Sequence, residues 1–156
     1  MRGLLRVRLR TVDITDKNKN TLLLMLSHLG VASRLPAVLL AGADLKHTDE
    51  DGWTSFHVAS REGHAAVVQT LLQHGANVAA TDKYGRTALD LAGRDCDDEV
   101  KKEEVKTALR EHGAKHSLFY AAAEGMVELV ADLIKEGANV NEKNHVSVNR
   151  VLSASA

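Results

Sequence analysis

The chain has one cysteine, one proline and few aromatic residues, and each scarcity removes a class of architecture or function. Cys96 alone cannot form an internal disulfide, which fits a reducing compartment. Aromatics at 3% leave alanine, valine and leucine to build the core. A net charge of −1, with basic residues interleaved among acids, gives no reason to expect nucleic acid or an anionic membrane as partner. The apolar run TLLLMLSHL is about half of what a bilayer requires. MRGLLRVRLR holds four arginines, but the apolar block of a secretory signal does not follow. GxxxxGK[ST], HExxH, GxSxG and paired CxxC are all missing from the sequence, so phosphate cradling, zinc hydrolysis and the common nucleophile elbows lack their minimum residues. No cofactor or metal is expected. The acidic residues near Asp97 lack the glycine and distal glutamate of a calcium loop, and His112 and His116 are separated by a helix-breaking Gly113, so both are expected to be exposed loop histidines.

What the sequence does contain is a period. Thr21, Thr54 and Thr87 recur every 33 positions, each preceded by an aspartate five residues earlier at Asp16, Asp49 and Asp82. Gly30 and Gly63, Gly42 and Gly75, and Gly52 and Gly85 keep the same step. A repeat of this length means one supersecondary unit stacked on copies of itself, because a single unit cannot bury its own apolar face. Val67, Val68, Leu71 and Leu72 form one apolar helical stripe, and Gly75 follows it where a left-handed residue ends a helix at least cost. Nine of the eleven glycines fall on repeat positions, leaving Gly3 and Gly93.

The second unit, DEDGWTSFHVASREGHAAVVQTLLQHGANVAAT, resembles the ankyrin repeat. Asp49, Gly52 and Thr54 match its turn, His57, Ala59, Gly63 and His64 its first helix and the turn after it, and Gly75 to Val78 its return segment. DKYGRTALDLA from Asp82 matches well, and DKNKNTLLLML from Asp16 in part, with Lys19 at the turn glycine and Leu24 at the usual histidine. The expected fold is therefore an all-α repeat solenoid of ankyrin-like helix-turn-helix units joined by β-hairpin-like turns. Its units lie near 16–48, 49–81, 82–116 and 117–144, preceded by a flexible segment 1–15 and followed by a tail 145–156. Helix pairs are expected near 21–41, 54–74, 87–112 and 117–136.

The irregularities carry further expectations. Pro36 inside a helix would cost about 3 kcal/mol, so a short second helix is expected from about Arg34 to Ala41, with Ser33 as its cap and Pro36 in its first turn. The third unit is five residues too long, which puts a solvated loop or an extra helical turn between Arg94 and Val105, with Asp97 or Asp98 at the helix start. The fourth lacks the hairpin, and Val127, Val130, Leu133 and Ile134 lie on one face of its second helix. Both end units are expected to fray first, with early amide exchange in Leu22 to Leu29.

The resemblance implies a non-catalytic protein-interaction module, monomeric and cytoplasmic or nuclear, that presents a concave groove to a protein partner. The alternative is a regulatory or targeting part of a larger, enzymatic ankyrin protein. The positions matching the family's docking face are Glu50, Asp51, Trp53, Arg61, Glu62, Lys83, Tyr84, Arg86, Arg94 and Asp95. Trp53 serves binding or packing on the next hairpin equally well, whereas Tyr84 leans towards binding. His57 takes a structural part by the same resemblance, and Asn141 matches the asparagine that the family's hydroxylases modify. Cys96, in the charged insertion, is expected to be accessible.

Overall fold

Threonine or serine opens every inner helix of the computed structural model, which describes residues 14–15 and 21–140. Thr21 Oγ1 accepts from Leu24 N at 3.3 Å, Thr54 Oγ1 from His57 N at 3.4 Å, Thr87 Oγ1 from Asp90 N at 3.3 Å and Ser117 Oγ from Tyr120 N at 3.1 Å. Each bond satisfies one of the amides that a helix start leaves without an intrahelical acceptor. Ser117 takes the threonine's part in the fourth unit, three residues early for the period. The expectations for Asp16, Lys19, Asn141, the arginine-rich start and the tail 145–156 lie outside the described residues.

Among the described residues, eight α-helices follow in pairs: α1 Leu22–His28, α2 Leu35–Leu40, α3 Ser55–Glu62, α4 Ala65–Gln73, α5 Ala88–Leu91, α6 Glu99–Glu111, α7 Leu118–Ala123 and α8 Val127–Lys135. Helices α1, α3 and α5 pack in an inner row and α2, α4 and α6 in an outer one, while α7 and α8 pack chiefly on each other. The turns at Asp49 and Asp82 are hairpin-like: Asp49 N donates to Trp53 O and Asp82 N to Arg86 O, both at 3.0 Å. Among the described residues, one isolated bridge between Thr81 and Thr87 is the only β pairing.

Pro36 sits in the first turn of α2, where its missing N–H costs nothing. Ser33 does not cap that helix. It lies in a short 3₁₀ turn, Ala32–Arg34, and Arg34 occupies the cap position without a side-chain bond. In the third unit the extra residues serve as both loop and helix. Helix α5 stops after four residues, the chain turns at Gly93 (φ 70°), and α6 runs for thirteen residues after its cap Asp98, whose carboxylate accepts from Val100 N and Lys101 N. Gly93 is thus not surplus. Its N–H donates to Ser60 O at 2.8 Å and Asp95 N to Arg61 O at 3.2 Å, so the loop of unit three satisfies carbonyls at the end of α3.

The core is continuous through three units, with Leu23, Leu35, Phe56, Val67, Leu71, Leu89, Val105 and Leu109 buried in one cluster. Among its described residues, unit four adds only Ala121 and Leu133 as buried apolar residues. The expected apolar face of α8 is covered only in part: Leu133 is buried and Val130 half-buried, while Val127 is 78% and Ile134 47% exposed, because among the described residues no further unit stacks on it. The two ends are therefore unequal. Leu23 and Leu35 of unit one are fully buried, so early exchange is expected in α7 and α8 and not in α1. Hydrogen exchange that released α1 before α8 would contradict this order.

Ser27 is fully buried and its hydroxyl has no hydrogen-bond partner, whereas Ser60 one repeat later donates to Phe56 O at 2.7 Å. Ser27→Ala removes a desolvated hydroxyl without breaking a bond. It is expected to stabilise the protein by about 1 kcal/mol, read as a higher urea midpoint. A loss of stability would mean that the hydroxyl is bonded after all.

Candidate functional site

Two aspartates organise the hairpin tips. Asp49 Oδ1 accepts from the Asp51 and Trp53 amides at 2.9 Å, and Asp82 Oδ1 accepts from the Tyr84 and Arg86 amides at the same distance. This is the turn chemistry that a short acceptor side chain provides two and four residues ahead of itself. Gly52 (φ 77°) completes the first tip, and a Cβ there would stand 2.9 Å from Lys83 N. The closeness lets one hairpin lie on the next, with Lys83 N reaching Asp51 O at 3.4 Å.

The second carboxylate oxygen of Asp82 gathers several of the side chains expected at the docking face. Trp53 Nε1 donates to it at 3.0 Å, Arg86 Nε at 2.8 Å, and the Arg86 guanidinium closes an ion pair at 2.7 Å. Burial alone would raise this carboxyl, but the bonds from Arg86 and then Trp53 outweigh it and hold Asp82 below its ordinary range. The Arg61 guanidinium lies 4.6 Å over the Trp53 ring, and Arg86 lies 4.7 Å over Tyr84. Lys83 pairs with Asp51 and stands 5.0 Å from the Tyr84 ring. Trp53 therefore packs on the neighbouring hairpin.

A ladder of pairs between a basic residue and a carboxylate crosses the ends of the inner helices. His28 meets Glu62 at 3.2 Å, Arg61 meets Asp95 at 2.7 Å and Arg94 meets Glu124 at 3.7 Å. Each rung joins one unit to the next. Of the ten residues expected at the docking face, Asp51, Trp53, Lys83, Tyr84 and Arg86 come together around Asp82, and Arg61, Glu62, Arg94 and Asp95 form the rungs. Glu50 is exposed and stands apart from both groups.

Beside the ladder is a hollow of about 370 Å³, with Leu24, Met25, Val58 and Trp53 as its apolar lining and His28, Arg61, Glu62 and Asp95 at its charged edge. Leu24, Met25 and Val58 are not among those ten residues. The usable signal in the sequence is Leu24 standing where a ring is usual, since a leucine there leaves an apolar floor.

The histidine of unit two and its counterpart in unit three behave differently. His57 is fully buried, with Nε2 donating to Ala80 O at 3.0 Å and Nδ1 accepting from Thr54 N at 3.3 Å. A carbonyl can only accept, so the proton sits on Nε2 and the ring is neutral. Burial is the main force lowering its pKa below 6.5, against the opposing Ala80 bond. Asp90 replaces this histidine one repeat later. It accepts from Thr87 N at 2.9 Å, Ser117 N at 3.1 Å and His116 Nδ1 at 2.7 Å. His116 is thus a half-buried partner of Asp90, stacked 5.2 Å from the Tyr120 ring, and not the exposed loop residue expected from its neighbours. His112 is exposed as expected. Cys96 is less open than expected: it is half-buried against Gly63, with its thiol 3.6 Å from Asp98 O.

These two shifts give a pH dependence. The fold favours neutral His57, so its contribution is whole above about pH 6.5 and is lost as pH falls through 6.5 towards the lower folded value. Asp82 contributes above its ordinary 3.8 and loses that contribution as pH falls through its depressed folded pKa. The urea midpoint is expected to drop between about pH 7 and 5, less steeply in His57→Gln, and to drop again below about pH 4. An unchanged slope in His57→Gln would assign the first drop to other groups.

Among the described residues no helix is long and apolar enough to cross a membrane, and no group of three or more His, Cys, Asp or Glu is placed to hold a metal ion. Residues 22–117 match the family described as ankyrin repeats, in three copies. No curated protein matches the chain.

Proposed function

Because the chain belongs to the ankyrin repeat family, we propose that it is a non-catalytic protein-interaction module whose inner face takes an apolar side chain of a protein partner into the hollow beside Trp53. The observation that carries this reading is the combination of an apolar lining with an edge whose charges are already paired. Met25 is 50% exposed at the mouth, while Leu24 and Val58 form the buried floor. An incoming apolar side chain gains contact area there. It displaces no partner of either carboxylate, because Asp95 stays paired with Arg61 and Glu62 stays beside the His28 ring. Tyr84, 38% exposed at the next tip, supplies a rigid amphipathic surface of the kind that dominates binding energy at interfaces.

Trp53 is a poor probe of this reading, since replacing it also breaks its bond to Asp82. Met25→Glu places a charge at the mouth without touching the core. In affinity capture, proteins retained by the native chain and lost with Met25→Glu are the expected partners, with binding at least tenfold weaker for a contact of about 1.4 kcal/mol or more. Partners retained equally by Met25→Glu and Tyr84→Ala would place the interaction elsewhere.

A further inference from the structure

Between α4 and α6, the two longest members of the outer row, runs an open groove of about 950 Å³ that shares no residue with the hollow beside Trp53. Its floor is small, formed by Ala65, Ala66 and Ala108, and Val100 stands 68% exposed at one end. Four glutamates line it and no lysine or arginine does. Glu99 is held by Lys102 at 2.6 Å and Glu103 by Lys106 at 2.9 Å. Glu104 and Glu111 have no basic partner among the described residues. With Val100 they share one stripe of α6, four and then seven residues apart, and about 10 Å of helix axis separates the two free carboxylates.

We propose that the groove between α4 and α6 is a second docking site, for a basic helical segment of a protein partner. Small residues on the floor allow a helix to approach closely, as in other helix-in-groove recognition. Two Lys or Arg side chains seven residues apart on that helix match the spacing of Glu104 and Glu111, and an apolar residue one turn beyond meets Val100. The regular array does not supply this arrangement. It depends on the longer α6 of unit three, whose first residues project Val100 beyond the core, so the five extra residues gain a role. With the inner face occupied as well, one chain would hold two proteins on opposite rows of helices.

The test uses a labelled, blocked helical peptide of alanine and glutamine that carries two arginines seven residues apart and one leucine, titrated with the full chain and read by fluorescence anisotropy. Saturable binding is expected, weakened about fivefold in the Glu104→Gln, Glu111→Gln double variant. Ala66→Lys, at an exposed floor position, is expected to abolish it, and Met25→Glu to leave it unchanged. Helical circular dichroism confirms that each variant is folded. Equal affinity for the native chain and the double variant overturns the proposal, as does failure to bind. Loss with Met25→Glu would move the peptide to the inner face. If replacing Arg2, Arg6, Arg8 and Arg10 by glutamine tightens peptide binding, the chain's own arginines compete for the groove, and its assignment to a partner is wrong.

Discussion

Replacing Asp90 with alanine is expected to cost about 3 kcal/mol of stability and to release the fourth unit from the third. The carboxylate is wholly buried and accepts from His116, from the Ser117 amide and from the Thr87 amide. Deletion leaves the buried Thr87 amide, the half-buried Ser117 amide and an imidazole without their acceptor, and each unmet group carries its own desolvation penalty. The loss should be local as well as large, because α7 and α8 pack mainly on each other and Asp90 is a principal tie to the unit before them. Asp90→Asn keeps one carbonyl acceptor and should lose about half as much. Urea unfolding gives the magnitude, and amide exchange in 117–135 gives the location. A loss below about 1 kcal/mol, or one spread evenly over all units, would remove Asp90 from this part.

Leu71→Ala is expected to cost about 3 kcal/mol, with a different signature. Leu71 is fully buried in α4, at the centre of the core that units one to three share. In a linear array, stability is roughly the sum of unit and interface terms. A cavity in the middle unit weakens two interfaces, while one at an end weakens a single interface. The unfolding transition should therefore broaden or split as units one and three lose their common neighbour. A single sharp transition displaced by less than about 2 kcal/mol would mean that the neighbours close over the cavity.

Much of what repeats within a unit is legible in the sequence. Thr54 and Thr87, and Asp49 and Asp82, recur because each unit must solve the same local problem, and the stripe Val67, Val68, Leu71, Leu72 marks a buried helix face; that the threonines cap helices and the aspartates hold the turns is shown by their bonds in the structure. The contacts that build the candidate site join one unit to the next. His28 pairs with Glu62 and Arg61 with Asp95, so both ends of the rungs keep the 33-residue step, but residue type varies between His and Arg and between Glu and Asp, and only stacking shows which positions meet. Asp90 and His116 are hidden for a related reason. The neighbours of His116 in sequence say little about it, because its partner lies 26 residues earlier, in a position where the pattern calls for a histidine. The hollow beside Trp53 arises from Leu24 in one unit and Trp53 in another, and only stacking brings them together.

The ladder also has a direction. At every rung the basic group comes from the earlier unit and the carboxylate from the later one, so each repeat is acidic towards the unit before it and basic towards the unit after it. Units joined by such a rule are interchangeable. Excising 49–81 would bring His28 opposite Asp95 in place of Glu62, and duplicating the same segment would set Arg61 of one copy against Glu62 of the next. The chain can thus lose or gain a repeat without ever placing like charges at the new seam, while a unit inserted in reverse orientation would oppose carboxylate to carboxylate.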